Sequence, residues 1–388
     1  MSTLFGLPEE VRFCRRCVLS NQRPLTRSEY TQSADSPLQT IAWDAEDICS
    51  ACRVREEKDR ISWTAREGAL IELLDQHRGN GTTADVLVPG SGGKDSIYAA
   101  YVLKERYGMT PITVTWAPTL YTDWGRRNQL RWAARMPNLL CTPPQELHRA
   151  ITRVAFRKLL HPFQAFTIGQ KVFARRMARV LGLPLVMYGE SEAEYGGKPV
   201  SASQSPLRSD PVLPTSDPYL GGRLYADWRR GWSAAELSWY LPDPQPWAGT
   251  IHQLGYYHRW VPQAAYYYAV KTVGFECAPE RTPGTYSKYN SLDDKMDDLY
   301  YYTRYIKFGM GRATADAAQE IRSGHLTREE GVALVHLYDG EFPQRFFPEL
   351  LDYLRLTEEA FWSTIDRFRS PHLWAREGDT WRLRHQVQ

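Results

Sequence analysis

The sequence predicts an α/β protein: a doubly wound parallel sheet, preceded by a cysteine-rich module and followed by a helical C-terminal domain. Three observations carry this. From Asp85 to Tyr107 the chain reads DVLVPGSGGKDSIYAAYVLKERY, an apolar run, a Gly-Gly turn and then a helical pattern. Apolar runs continue to alternate with helical stretches as far as Gly189, the pattern of a parallel sheet covered on both faces. Four of the six cysteines form the pairs Cys14-x-x-Cys17 and Cys49-x-x-Cys52 ahead of that region.

Residues 1–62 are expected to form the cysteine module. Each pair can place two thiolates on one turn, and two facing turns supply the tetrahedral S4 set that zinc prefers in a closed structural site. An iron-sulfur cluster, a redox dithiol and unrelated free cysteines are the competing readings. Arg12, Arg15, Arg16 and Arg53 flank the pairs and could offset thiolate charge, whereas Cys141 and Cys277 stand alone and read as small buried apolar groups.

Residues 63–200 are expected to form the nucleotide domain. WTAREGALIELLDQHR (63–78) sets Ala69, Leu70, Leu73 and Leu74 at helical spacing, a linker helix before the first strand. PITVTWAP (111–118) reads as a second strand, followed by a helix near Arg126 to Met136, a short strand at Leu139-Leu140, a helix over 145–160 and a strand in LPLVMYG (183–189). Ligands in such sheets sit beyond the carboxyl ends of strands. The turn after the first strand, the segment after Trp116 and Gly189-Glu190 are therefore expected to converge.

Residues 201–286, rich in Pro, Ser, Asp and Gly up to Trp247, read as an irregular insertion, either a substrate-binding loop or lid or a surface elaboration. From 287 to 388 the pattern is helical. SLDDKMDDLYYYTRYIKFG opens with a Ser cap and an acidic first turn, and Thr327-Arg-Glu-Glu330 is a capping box. Lys307 and Arg312 flank Gly309-Met310-Gly311, where they either reach a phosphate or serve as ordinary helix-end cations.

Bulk composition narrows the function classes only a little. The chain has 388 residues, 43% hydrophobic and 24% charged, enough for two or three domains with substantial cores. A net charge of +3 does not by itself imply a nucleic-acid partner. The start MSTLFGLPEE lacks a signal-peptide pattern and no run approaches the ~20 apolar residues of a membrane span, so a cytoplasmic protein is expected.

The turn Ser91-Gly92-Gly93-Lys94-Asp95-Ser96 carries the chemistry. Adjacent glycines admit a polyanion close to the backbone, the helix start offers unpaired N-H groups, and Ser91, Lys94 and Ser96 add donors. Neither the Walker spacing nor G-x-G-x-x-G occurs here. SGGKDS instead resembles the PP-loop of N-type ATP pyrophosphatases, which implies ATP cleaved between its α and β phosphates. Further along, GESEAEYGG (189–197) sets Glu190, Glu192 and Glu194 past a strand end, either as a solvated acidic loop or as ligands for magnesium or substrate.

Several segments together resemble the N-acetyl sugar amidotransferase family of the PP-loop superfamily: the paired cysteines ahead of SGGKDS, HPFQAFTIGQK (161–171), YGESEAEYGG, GYYHRWVPQAAYYYAV, RTPGTYSKYNSLDDKMDD and KFGMGRATADAAQEIRSGHLTREEGVALV. Nearly the whole chain takes part. The resemblance implies conversion of an acetamido group on a bacterial surface sugar to an acetamidino group, with zinc, ATP and magnesium as cofactors. It implies that Ser91 to Ser96 hold pyrophosphate, with Lys94 neutralising charge and Asp95 orienting magnesium or the loop. Gly189 and Glu190 would border ATP. Gln164, Gln170, Lys171, Glu192, Glu194 and Tyr195 would grip the sugar or organise the amide. GYYHRW, RTPGTYSKYNSLDDK and RSPHLW resemble the members acting on nine-carbon acids of the pseudaminic and legionaminic type.

No glutaminase signature is apparent, so ammonia is expected from solution or from a class I glutaminase subunit, with or without a cyclase-like subunit. The rival reading is a PP-loop enzyme that adenylates and thiolates a tRNA base, which calls for a basic RNA-sized surface and usually a catalytic cysteine. A scaffold with a degenerate nucleotide fold requires a broken loop, and this loop is whole.

Overall fold

The computed structural model describes residues 2–25, 39–79, 81–189, 230–241, 243 and 245–388. Short antiparallel bridges, Phe13 to Ser20 and Trp43 to Cys49, set up the two cysteine turns, and α1 (Ser50–Arg60) starts directly behind Cys49. Helix α2 (Trp63–His77) is capped by Ser62, which accepts from the Ala65 N-H, and buries Leu70 and Leu74.

The α/β core follows in the expected order: β1 (Val86–Pro89), α3 (Lys94–Tyr101), β2 (Pro111–Trp116), α4 (Asp123–Arg135), β3 (Asn138–Cys141), α5 (Gln145–Leu159), α6 (Gln164–Val180) and β4 (Leu185–Tyr188). The chain then re-enters the sheet at β5 (Thr250–Gln253), within the span read from sequence as an irregular insertion. In this four-residue strand Ile251 and His252 are buried, too little apolar pattern to stand out. Helix α7 (Pro262–Val273) follows, with Pro at its first turn and Gly274 at its end.

All five strands are parallel, in the order β3-β2-β1-β4-β5. Connections therefore run one way from β1 through β2 to β3 and the other way to β4 and β5. Their divergence leaves a crevice beyond the carboxyl ends of β1 and β4. Alternate strand residues serve opposite cores. Val86, Val88, Leu185 and Met187 pack with Ile97, Trp132 and Ala269 on one face, while Leu87 and Val186 pack with Ile151, Ile168 and Val172 on the other.

The C-terminal region contains α8 (Lys295–Phe308), α9 (Arg312–Ser323), α10 (Arg328–Tyr338), α11 (Phe347–Leu354), α12 (Glu358–Asp366) and an antiparallel hairpin of β6 (Trp374–Glu377) and β7 (Thr380–Leu383). The capping box at Thr327 and Glu330 forms as the sequence indicates. At α8 the cap is Asp294 rather than Ser291: its carboxylate accepts from Met296 N-H at 2.9 Å and also from the Thr119 and Leu120 amides. That carboxylate ties the start of α8 to the loop after β2. Ser291 has positive φ and is turned to Arg312.

The two ends of the chain share a core. Cys14, Leu19 and Ile41 belong to one buried cluster with Ile306, Phe308, Phe361 and Trp374. The cysteine module is thereby packed on the C-terminal helices.

Candidate functional site

The switch point holds a cavity of about 330 Å³, lined along one side by residues 89–96. Such a volume suits a small-molecule ligand. Gly92 has φ of +89°, and a Cβ there would lie 2.9 Å from Gln129 Cα and 3.0 Å from the Asn128 carbonyl oxygen, so the turn passes under α4 only as glycine. Gly93 differs. Its backbone is extended, and a Cβ would meet only Ser91 Oγ at 3.6 Å. It is the N-cap of α3 and supplies no side-chain cap, so the first amides of α3 are left to a ligand.

Polar groups of the loop are partly engaged with one another. Ser96 Oγ donates to the Gly93 carbonyl at 2.9 Å, and Lys94 Nζ lies 2.6 Å from Asp95 Oδ2. The Lys94 side chain is 9% exposed, and Asp95 Oδ1 is buried without a hydrogen-bond partner. A buried carboxylate oxygen without a donor is suited to a cation, while the other oxygen pairs with Lys94, so the geometry is compatible with either role the resemblance implies for Asp95, orienting magnesium or the loop.

Three further walls enclose the cavity. Helix α6 contributes Phe163 (its N-cap), Phe166, Gln170 and Phe173, an apolar stripe interrupted by one amide. Trp116 ends β2, and Tyr188 with Gly189 ends β4. A Cβ on Gly189 would sit 2.8 Å from the Asp95 carbonyl oxygen and 3.1 Å from the Trp260 ring, so β4 presses directly on the loop. The segment before and within α8 brings Tyr289, Ser291, Asp293 and Asp297.

That acidic wall was not singled out from sequence, where DDKMDD read as the acidic first turn of a helix. Asp297 is 8% exposed, and its carboxylate makes no hydrogen bond among the described residues. Burial, then the Asp293 charge, holds its pKa well above the carboxylate range. Behind it, burial pushes Asp294 up to about 7 despite three backbone donors, and Asp298 is also raised by burial while paired with Arg345 at 2.7 Å. In sequence these aspartates lie about 200 residues from the loop, and nothing local marks them beyond that acidic first turn.

Among the other residues singled out from sequence, Gln170 and Gly189 line the cavity. Gln164 and Lys171 do not. Gln164 is fully buried with neither amide atom partnered, and Lys171 is half-buried. Lys307, fully buried, donates to the Leu159 carbonyl oxygen at 3.1 Å. Arg312 pairs with Asp316 at 3.1 Å, lies over the Tyr301 ring and reaches the cavity rim through Ser291 Oγ at 2.6 Å. Glu190, Glu192, Glu194 and Tyr195 lie outside the described residues.

The second centre is the cysteine set. Cys14, Cys17, Cys49 and Cys52 are buried, with their sulfurs all within 4.8 Å of one another; Cys14 to Cys52 is 3.9 Å and Cys17 to Cys49 3.7 Å. A tetrahedron with Zn–S of about 2.3 Å has edges of about 3.8 Å, so these residues fit zinc and can hold it. Cys14 Sγ also accepts from the Arg16 and Cys49 amides at 3.4 Å, which supports a thiolate. Hydrogen bonds from Cys17, Cys49 and Cys52 lower the Cys14 pKa. The flanking arginines pair with carboxylates: Arg12 and Arg15 with Asp47, Arg16 with Glu56, and Arg53 with Asp44, Glu46 and Glu56.

These features define an α/β protein with a five-stranded parallel sheet, a polar-floored cavity at its switch point and a four-cysteine cluster able to bind zinc. Residues 283–388 match the family model described as LPS biosynthesis protein WbpG-like, C-terminal domain. The matched segment contains the acidic wall of the cavity. No curated protein matches the chain. Among the described residues no helix is long and apolar enough to cross a membrane.

Proposed function

We propose that this protein is a PP-loop ATP pyrophosphatase that amidates an N-acetylated surface sugar. The observation that carries the reading is Gly93: a Cβ there would touch only Ser91 Oγ, and the residue stands at the start of α3, at the switch point of a parallel sheet, where a phosphate chain would meet the first backbone amides of that helix. The C-terminal similarity to lipopolysaccharide biosynthesis proteins supports a sugar substrate.

An amide carbonyl is a poor electrophile because its nitrogen delocalises into it. In the proposed reaction the acetamido oxygen attacks the α phosphorus of ATP, the bond to pyrophosphate breaks, and an imidoyl-AMP forms. Ammonia then adds to the imidoyl carbon, loses a proton, and AMP departs to leave the acetamidino group. Residues 91–96 would hold the β and γ phosphates, with Lys94 meeting charge on departing pyrophosphate. Asp95 would hold magnesium, which supplies charge neutralisation on the phosphates.

Asp293 would attract ammonium at the wall, and Asp297, whose pKa burial raises, would accept a proton more strongly than an exposed carboxylate once ionised. Gln170 would meet the sugar between the α6 aromatics. Gln164, Lys171, Glu190, Glu192, Glu194 and Tyr195 remain proposed contacts from sequence, as does the reading of Lys307 and Arg312 as phosphate contacts, although neither lines the cavity. Zinc would fasten the N-terminal module.

Ammonia would come from a class I glutaminase subunit, with or without a cyclase-like subunit, and the substrate would be a nonulosonic acid of the pseudaminic or legionaminic type. Thiolation of tRNA is not favoured by the site. Among the described residues no cysteine lines the cavity, and burial raises the Cys141 thiol. The test is AMP release from magnesium-ATP and an ammonium salt with a panel of acetamido sugars. AMP that appears only with a sugar supports the reading, and AMP that appears only with tRNA removes it.

A further inference from the structure

The segment from Thr282 to Ser291 carries Tyr289 and Ser291 to the switch-point cavity, and one face of α9 holds it there. Arg312, Asp316 and Glu320 recur every four residues, so they share that face. Asp316 accepts from Thr285 Oγ1 at 2.7 Å and from Asn290 Nδ2 at 3.3 Å, and Glu320 accepts from the Tyr289 hydroxyl at 3.1 Å. Arg312 donates from Nε to Asp316 at 3.1 Å and from Nη1 to Ser291 Oγ at 2.6 Å. All three α9 residues are buried, and a buried polar network of this kind sets one arrangement of the segment it holds.

Ser291 stands out within that segment. Its φ is +49°, a left-handed backbone that a residue other than glycine adopts only under constraint from its surroundings. A guanidinium has N-H donors and no acceptor, so Ser291 Oγ accepts from Arg312 and the hydroxyl proton is left to point elsewhere. Among the described residues nothing accepts that proton. Ser291 is half-buried and lines the cavity, and the Arg312 charge behind it strengthens the hydroxyl as a donor. The acceptor it suits is an uncharged oxygen. Asp293 and Asp297 follow closely in the chain and line the same cavity, where a carboxylate or phosphate set beside them would be repelled.

We propose that Ser291 sets specificity at this site by donating its hydroxyl proton to a hydroxyl or carbonyl oxygen of the bound sugar, with Arg312 positioning it from behind. The inference rests on the reading of the cavity as one that admits a sugar beside ATP. It gives Arg312 a positioning part that needs no phosphate, because the guanidinium acts on the ligand through Ser291 Oγ.

Steady-state kinetics tests it with magnesium-ATP, an ammonium salt and acetamido sugars, free, CMP-linked and UDP-linked, on the full chain, Ser291→Ala, Ser291→Gly and Arg312→Lys. Ser291→Gly removes the hydroxyl while relieving the left-handed backbone, so it should melt close to the parent and separates a lost contact from a lost fold. The expected result is a fall of at least about tenfold in kcat/KM for the sugar in Ser291→Ala and Ser291→Gly alike, with KM for ATP within about twofold of the parent. Arg312→Lys, whose ammonium lacks the planar fork that serves Asp316 and Ser291 together, should raise KM for the sugar in the same direction. Titration calorimetry with the same sugars separates this inference from the reading beneath it. Sugar binding weakened about tenfold in Ser291→Gly, with no amidation by any chain, would uphold Ser291 and remove the amidotransferase. Amidation indifferent to Ser291→Gly would leave the amidotransferase and overturn the inference. A loss confined to Ser291→Ala, a rise in KM for ATP in place of the sugar, or no sugar bound by the parent chain would overturn it as well.

Discussion

Gly92 and Gly93 are adjacent in sequence and opposite in structural demand. At Gly92 the left-handed backbone and the α4 contact at 2.9 Å make Gly92→Ala destabilising by about 1–3 kcal/mol in a denaturant melt. Gly93→Ala should change stability by no more than about 0.5 kcal/mol, while Gly93→Asp should fold and lose ATP binding because its charge occupies the phosphate position. Equal destabilisation at both positions would contradict this assignment. Asp297→Asn keeps the volume and removes the proton acceptor. We expect kcat to fall by about 10²- to 10⁴-fold with little change in sugar KM. Because burial, then the Asp293, Asp294 and Asp298 charges, raise the Asp297 pKa against the opposing Arg312 charge, the parent rate should fall as pH drops through that raised value and the carboxylate takes up its proton. Asp297→Asn should lack that acidic limb. The strand, Gly-Gly turn and helix at 86–101 were legible from sequence because an apolar run broken by adjacent glycines has a local cause. Asp293 and Asp297 were not, since acidic residues at a helix start have an ordinary explanation and only the fold turns them toward the loop's cavity.

Among the elements, the cysteine turns show how far spacing reaches. Two C-x-x-C pairs specified four sulfurs at zinc distances, and the structure adds that they share a core with α8 and α12 through Ile306, Phe308 and Phe361. Zinc removal should therefore loosen more than the N-terminal module. Cys49→Ser with Cys52→Ser should abolish bound zinc by elemental analysis and increase amide hydrogen exchange in α8 and α12 as well as α1. Exchange confined to residues 1–62 would mean that the shared core does not couple them. Strands β1 to β4 were readable because buried apolar runs alternate with helices. Strand β5 was not, because its backbone pairing with β4 and the single strong apolar residue Ile251 suffice to place it. The α8 cap shows a similar limit: Asp294 was chosen over Ser291 by amides in the loop after β2, a long-range contact.

For the molecule as a whole, the doubly covered sheet was apparent from pattern, but strand order was not, and strand order is what puts β1 beside β4 and brings Gly93 and Gly189 to one cavity. Residues 283–388, similar to a lipopolysaccharide biosynthesis family, close that cavity with their acidic segment while packing against the cysteine module. In the proposed reaction this cavity joins ATP cleavage to replacement of an acetamido oxygen by nitrogen. Mass spectrometry tests it most directly, on the purified protein with magnesium-ATP, an ammonium salt and nine-carbon acetamido acids, free and CMP-linked, alongside UDP-linked acetamido sugars. The account predicts a sugar product lighter by about one mass unit, with one AMP formed for each. AMP released without any change in sugar mass, or sugar unchanged and ATP intact across the whole panel, would contradict it.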